Sequence, residues 1–166
     1  MSLVTIDPLE AAPVDATAPT TEGQTILVVE DQPEVLQLLT DTLQMLGYHV
    51  LTAEGPAQGL ALGDLHSREI DLVLTDVIMP EMSGPELVHL LIDRHPSLRV
   101  LYVSGHGAET LQPLGVPSQG TAVLKKPFTL DTLIDSVSRA LAPPTAPGGA
   151  APLTERIGPD DRAGRP

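Results

Sequence analysis

The fold of this protein is decided by one stretch, Ile70-Asp71-Leu72-Val73-Leu74-Thr75-Asp76-Val77-Ile78-Met79-Pro80-Glu81-Met82-Ser83-Gly84. It begins with an apolar run that is typical of a strand buried on both faces of a sheet. The run ends at Asp76, and the turn-forming residues Pro80, Ser83 and Gly84 follow at once. A carboxylate at the exit of a buried strand lies at the rim of the sheet, where open α/β proteins collect ligands and chemistry. We therefore predict that the rest of the chain is organised to hold Asp76 at this rim.

Strand-like runs alternate with helical patterns on both sides of this stretch. Apolar runs predict four more strands, at residues 25–29, 48–53, 98–103 and 121–124. Helical patterns begin at Pro33, at Pro56 and at Pro85, and a last helix follows the N-cap residue Thr129. This alternation predicts a doubly wound α/β fold, in which a five-stranded parallel sheet is flanked by helices on both faces.

Two of the predicted connections are weak helices. We expect the helix at residues 56–67 to be interrupted by Gly59 and Gly63. Residues 105–120, between the fourth and fifth predicted strands, contain four Gly and two Pro. A fourth helix in this connection is therefore expected to be broken or replaced by a mobile loop. The first and last helices instead carry predicted apolar stripes, made of Val35, Leu39, Leu43 and Leu46 and of Leu130, Leu133, Ile134, Val137 and Leu141.

Composition divides the chain into one domain and two tails. Residues 25–142 are predicted to form the domain, whose core must be aliphatic because the chain has two Tyr, one Phe and no Trp. Residues 1–24 are rich in Ala, Thr, Pro and acids, and we predict that they form a disordered leader. Residues 143–166 are rich in Pro, Gly and Ala and are predicted to be a disordered tail.

Charge and composition exclude several classes of function. A net charge of -13 argues against direct binding to nucleic acid and against attraction to anionic membranes. The chain has no Cys, so it has neither a disulfide framework nor a thiolate metal site. No secretory signal or membrane-spanning run is visible, and we expect the protein to be cytoplasmic and to lack a DNA-binding output domain.

Charged and hydroxyl side chains stand at the exits of the predicted strands. Parallel strands bring Glu30, Asp31, Asp76, Ser104 and Lys126 to one edge of the sheet. Taken singly, each is ordinary, as a helix cap, a turn residue or a surface lysine. Their joint placement is what predicts function, because crowded carboxylates call for a cation and hard oxygen ligands suit Mg²⁺. With the lysine and the serine to hold oxygens, the edge becomes a site for a phosphoryl group.

Four motifs in this order resemble the receiver domain of two-component response regulators. They are Val28-Val29-Glu30-Asp31, the segment from Leu74 to Gly84, Val103-Ser104-Gly105 and Leu124-Lys125-Lys126-Pro127-Phe128. The resemblance covers residues 24–142 and is closest to receivers that accompany hybrid kinases or stand alone. It implies a flavodoxin-like fold with strand order 2-1-3-4-5 and a signalling function.

The resemblance also implies a role for each site residue. Asp76 would be the phosphoacceptor, Ser104 would bond a phosphoryl oxygen, and Lys126 would pair with the phosphoryl group across a cis bond to Pro127. Mg²⁺ would be held by Asp76, by Asp31, by Glu30 through water and by the backbone carbonyl of Ile78. The implied partners are a sensor histidine kinase or phosphotransfer protein, which donates the phosphoryl group, and an unknown downstream protein. The implied output is a conformational change, so the domain is not expected to be an enzyme beyond self-phosphorylation and self-dephosphorylation.

Two departures from the family pattern affect the expected output. The aromatic residue that family members usually carry three positions before the lysine is replaced by Val123, and Tyr102 is not an obvious substitute. The glycine-rich segment at 105–120 also weakens the surface that most receivers use for output. We therefore expect an atypical output, in which a loop next to Ser104 and His106 becomes ordered, although a histidine in such a loop is more often simply solvated.

Two rival functions remain open at this stage. A haloacid dehalogenase-like phosphohydrolase uses similar strand-end groups, but it places a second aspartate two residues after the nucleophile, where this chain has Ile78. An interaction module with a vestigial pocket, which needs no phosphorylation, is disfavoured by the filled acid, serine and lysine positions and mildly favoured by Val123.

Overall fold

A five-stranded parallel sheet forms the centre of the protein, and its strands follow the order β2-β1-β3-β4-β5. The computed structural model describes residues 23–107, 111–116 and 121–143. Its strands are β1 (Thr25–Val29), β2 (His49–Ala53), β3 (Ile70–Asp76), β4 (Arg99–Ser104) and β5 (Ala122–Lys125). Its α-helices are α1 (Pro33–Met45), α2 (Pro56–Leu65), α3 (Gly84–Arg94) and α4 (Leu130–Leu141). The predicted fold class and strand order are confirmed.

Each face of the sheet packs against its own pair of helices. Side chains alternate between the faces along a strand, so in β1 Ile26 and Val28 contact one layer and Leu27 and Val29 contact the other. The first layer contains buried residues of α1 and α4, namely Leu36, Leu39, Leu43, Leu133, Val137 and Leu141. The second contains Leu87 and Leu91 of α3. The central strands are therefore buried on both faces, as their apolar runs predict.

The helix ends follow their sequence signals, whereas each predicted stripe differs from the buried face of its helix by one residue. Gly47 has a φ of 92° just after α1, in the left-handed region that favours glycine. Thr129 caps α4, where its hydroxyl accepts a hydrogen bond from the Thr132 N–H at 3.3 Å. Leu130, however, is 56% exposed, because the first residue of α4 points away from the sheet. Leu36, absent from the predicted stripe of α1, is buried.

The predicted interruption of α2 is wrong. The helix is continuous over Pro56–Leu65, and both of its glycines are buried. A Cβ at Gly59 would lie 2.9 Å from Cγ2 of Val29, and one at Gly63 would meet the side chain of Leu91. The glycines therefore let α2 approach β1 and α3 closely, and this packing outweighs their low helix propensity.

The segment between β4 and β5 is described only in part. Residues Gln112–Leu114 form one turn of 3-10 helix, and Leu111 and Val116 on either side are buried. The rest of the predicted broken helix, at 108–110 and 117–120, lies outside the described residues, as do residues 1–22 of the leader and 144–166 of the tail. Among the helices that the structure describes, none has the length and apolar character needed to cross a membrane.

Candidate functional site

Three carboxylates converge where β1 and β3 end. Glu30 and Asp31 directly follow β1, and Asp76 is the last residue of the neighbouring β3. Each offers one oxygen, and these oxygens all lie within 4.8 Å of one another. The side chain of Glu30 is fully buried, and Asp76 is almost buried. The structure thus brings together the three acids that the sequence predicts at this edge.

A lysine from the edge of the sheet completes the cluster. The Lys126 ammonium donates hydrogen bonds to Asp76 Oδ2 at 2.8 Å and to Glu30 Oε2 at 3.1 Å. Its peptide bond to Pro127 is cis, which confirms the expectation for this bond. Lys125 is exposed, so the lysine that reaches the carboxylates is Lys126, as predicted.

Ser104 occupies the end of β4, between the strands that carry Asp76 and Lys126. It is 1% exposed, and its hydroxyl oxygen accepts a hydrogen bond from the His106 backbone N–H at 3.1 Å. Because that bond uses a lone pair of the oxygen, the hydroxyl proton stays available for another acceptor. The side chain of His106 is exposed in the loop that follows.

Burial and pairing set the charge of the site. Burial raises the pKa of Glu30, although hydrogen bonds from Lys126 and from the Gln32 N–H oppose the shift. For Lys126, burial works to lower the pKa, but the hydrogen bonds to Asp76 and Glu30 outweigh it and raise the pKa above its ordinary value. The lysine therefore stays charged at neutral pH, and a single ammonium faces three carboxyl groups.

This donor set fits Mg²⁺. Carboxylate oxygens are the hard ligands that the ion prefers, and it binds through one or two carboxylates while keeping several waters. Asp31 is half-buried, so a side of the cluster remains open to solvent. A divalent cation would also offset the charge that one ammonium leaves uncompensated.

Both oxygens of Asp76 are held by the surrounding backbone and side chains. Oδ2 is bonded to Lys126, and Oδ1 accepts a hydrogen bond from the Ile78 backbone N–H at 3.0 Å. The loop after β3 is closed by a hydrogen bond from the Gly84 N–H to the Val77 carbonyl at 2.9 Å. These contacts orient the carboxylate and fix the start of the turn that follows it.

Two contributors to this arrangement were missed by the sequence reasoning. The Gly84 Cα lies against the Asp76 backbone carbonyl, and no sequence signal reports such an approach between residues eight apart. Ser83 and Glu86 form a capping box at the start of α3, with the Ser83 N–H donating to Glu86 Oε2 at 2.8 Å. The Ser-x-x-Glu spacing is the sequence signature of a capping box, so this helix start could have been predicted.

Substituting Gly84 by Ala is expected to destabilise the fold by about 3 kcal/mol, because the new Cβ would collide with a backbone carbonyl that cannot rotate away. Urea unfolding monitored by circular dichroism measures the loss. Gly107→Ala is the matched control, since a Cβ there meets nothing within 4 Å, and it should be nearly neutral. Equal stabilities for the two variants would contradict the close approach.

The position that lacks the expected aromatic residue lies beside a buried tyrosine. Val123 is 36% exposed and pairs in register with Tyr102 on the neighbouring strand, so the two side chains share one face of the sheet. Tyr102 packs against Val77 and Val88, and burial raises its pKa to about 12. Tyr102 is therefore a neutral part of the core.

Residues 26–138 match the family described as the response regulator receiver domain. The response regulator receiver protein CpdR of Brucella abortus (strain 2308) is 33% identical over 116 residues, which are 70% of this chain and 95% of CpdR. The sensor kinase CckA of the same organism is 36% identical over 118 residues, which are 70% of this chain but only 12% of the kinase. The similarity to CckA thus concerns one segment of a much longer protein.

Solved structures of receiver domains are also similar to this chain. A response regulator receiver domain protein from Clostridium thermocellum superposes with a TM-score of 0.64 at 30% identity, covering 71% of this chain and 94% of that chain. The receiver domain of the hybrid histidine kinase CckA superposes with a TM-score of 0.56 at 29% identity, covering 71% of this chain and 99% of that chain.

Proposed function

This chain belongs to the response regulator receiver domain family of two-component systems, and on that premise we propose that it takes a phosphoryl group onto Asp76 and signals by a change of conformation. The observation that carries the proposal is the convergence of three carboxylates, a half-buried lysine and a buried serine on one rim of the sheet. The donor would be a phosphohistidine of a sensor kinase or of a phosphotransfer protein.

The proposed step needs no general base, because a carboxylate is already ionised at neutral pH. An oxygen of Asp76 attacks the phosphorus in line, a new O–P bond forms, and the P–N bond to the donor imidazole breaks. Lys126 is placed to offset the negative charge of the phosphoryl oxygens, since its ammonium already contacts Asp76. The Ser104 hydroxyl would donate a hydrogen bond to a phosphoryl oxygen while it still accepts one from the His106 N–H.

In this proposal Mg²⁺ is held by Asp76 and Asp31 directly and by Glu30 through water. The backbone carbonyl of Ile78 is a further ligand that the resemblance to receiver domains implies. Mg²⁺ held there would neutralise negative charge on the phosphoryl oxygens. The two acids after β1 differ in how firmly they are held. Glu30 is fixed by its burial and by its hydrogen bond to Lys126, whereas Asp31 keeps contact with solvent.

The biological role proposed for the domain is regulatory and cytoplasmic. The phosphorylated form would contact a downstream protein, in keeping with relatives that include a stand-alone receiver protein and a segment of a sensor kinase. Neither nucleic acid nor a membrane is proposed as a partner. Catalysis in this proposal is limited to self-phosphorylation and self-dephosphorylation.

A second candidate is an interaction module that works without phosphorylation. It is favoured by Val123, which leaves the domain without the aromatic residue that usually moves with the serine. A phosphohydrolase is not supported in the same way, because Ile78 stands where its second aspartate would be. Metal-dependent phosphorylation separates the receiver from the interaction module.

Titration with Mg²⁺ followed by beryllofluoride tests the proposed site. At ten times its Kd, Mg²⁺ is expected to stabilise the fold by about 1.4 kcal/mol, measured by thermal unfolding against an EDTA control. Beryllofluoride, a mimic of the phosphoryl group, should then shift the amide NMR signals of Asp76, Ser104 and Lys126. A fold that responds to neither would leave the interaction module as the better interpretation.

A further inference from the structure

The end of the sheet opposite Asp76 carries a polar cavity of about 740 Å³. It lies where β3 and β4 begin, and its wall includes Asp71 near the start of β3 and Arg99 at the start of β4. Since Asp71 and Asp76 are five residues apart on an extended strand, the cavity lies roughly 15–20 Å from the phosphoacceptor. The cavity is therefore separate from the site already described.

Positive charge is concentrated at this cavity although the chain is strongly acidic. The described residues contain six Lys and Arg side chains, and three of them, Arg68, Arg94 and Arg99, line the cavity. A single carboxylate, that of Asp71, is in the wall, and its Oδ2 accepts a hydrogen bond from the Thr25 N–H at 2.8 Å. Because Asp64 offsets the charge of Arg94, the positive charge that could attract an anion comes mainly from Arg68 and Arg99, in a chain of net charge -13.

Most of the guanidinium donors in the wall are not used by the protein. Arg68 is exposed and makes no hydrogen bond or ion pair with the residues that the structure describes. Arg94 pairs with Asp64, and Arg99 donates one bond to the Leu141 carbonyl at 2.6 Å. Each guanidinium has five N–H donors, so several remain available for a ligand.

Other polar groups complete the wall. The hydroxyls of Ser67 and Ser97 line the cavity, and so does His95. Nε2 of His95 is buried and has no hydrogen-bond partner among the residues described. Since this nitrogen is closed off from the cavity, the donors that face a ligand there are the guanidinium groups and the two hydroxyls.

We propose that this cavity binds a small phosphate-bearing anion, such as an inorganic polyphosphate or a phosphate ester. Three guanidinium groups around one space suit a tetrahedral, multiply charged anion, because its oxygens can accept from several of them at once. A planar carboxylate is saturated by one or two such groups and would leave the others unused. The volume of the cavity also falls in the range that is typical of small-ligand pockets.

Inorganic pyrophosphate in EDTA tests this site by amide NMR. Without a metal, the carboxylates around Asp76 repel the probe, so binding there does not confuse the result. We expect a Kd below about 1 mM, with shifts at 67–71 and 94–99 and none at Asp76 or Ser104. The absence of shifts at the cavity up to about 10 mM pyrophosphate would overturn the proposal, as would shifts confined to other surfaces.

Three comparisons sharpen the test. Arg68→Gln should weaken pyrophosphate binding at least about tenfold without affecting folding, because the side chain is exposed. Lys125→Gln, which removes the same charge at the opposite end of the sheet, should change it less than about twofold. Succinate should bind at least about tenfold more weakly than pyrophosphate. Unchanged binding by Arg68→Gln, or equal binding of succinate, would overturn the proposal.

Discussion

Asp76→Asn is expected to lose covalent phosphorylation almost completely, by on the order of a thousandfold or more, as removal of a catalytic nucleophile commonly does. The amide oxygen is too weak a nucleophile to form a stable acyl phosphate. Asparagine has the size of aspartate and can still accept the hydrogen bond from the Ile78 N–H, so the loss is chemical and not structural. Incubation with acetyl phosphate and Mg²⁺, followed by intact-protein mass spectrometry, measures the added phosphoryl group.

Asp71→Asn is the matched control for this experiment. It makes the same change of charge and shape on the same strand, but at the end of β3 away from the site. Its amide oxygen can still accept from the Thr25 N–H, so the fold should be retained and phosphorylation should be unchanged. Phosphorylation of Asp76→Asn at the level of Asp71→Asn would show that the acceptor is a different residue.

The rim of the sheet could be predicted because its signals are local and strong. An apolar run that stops at Asp76, and another that stops at Glu30, report both a buried strand and a charged exit. Once the strands are parallel, such exits share an edge whatever the details of packing. This is why the position of Lys126 beside the acids followed from the sequence, although its hydrogen bonds to Asp76 and Glu30 did not.

The errors occur where packing between distant segments decides the structure. Gly59 and Gly63 are poor helix formers, and only the presence of Val29 and Leu91 beside them explains why α2 continues through both. The contact of Gly84 with the Asp76 carbonyl depends on the path of a loop, which has no periodicity to interpret. Helical periodicity places residues on a face, but it does not show where along the helix that face stops being buried. For this reason the exposed Leu130 was wrongly included in the predicted apolar stripe.

Lys126→Met is expected to lower the free energy of unfolding by about 3 kcal/mol in EDTA at about pH 7.5, because it leaves the fully buried Glu30 without its partner ammonium. Lys125→Met is the control, since this exposed neighbour should cost less than about 0.5 kcal/mol. Urea unfolding measures both. Saturating Mg²⁺ should recover part of the loss for Lys126→Met, because the ion supplies positive charge to the same carboxylates.

The dependence of this loss on pH identifies its cause. Burial already raises the pKa of Glu30, and removal of the ammonium removes two interactions that oppose the rise. A carboxyl group whose pKa is raised in the folded state stabilises the fold below its unfolded pKa, and that stability is lost as the pH rises through the folded pKa. The deficit of Lys126→Met relative to the wild type should therefore shrink when the pH is lowered from about 7.5 to about 5.5, as Glu30 takes up a proton. A deficit that stays constant over this range would attribute the loss to packing of the lysine side chain and not to the unpaired charge.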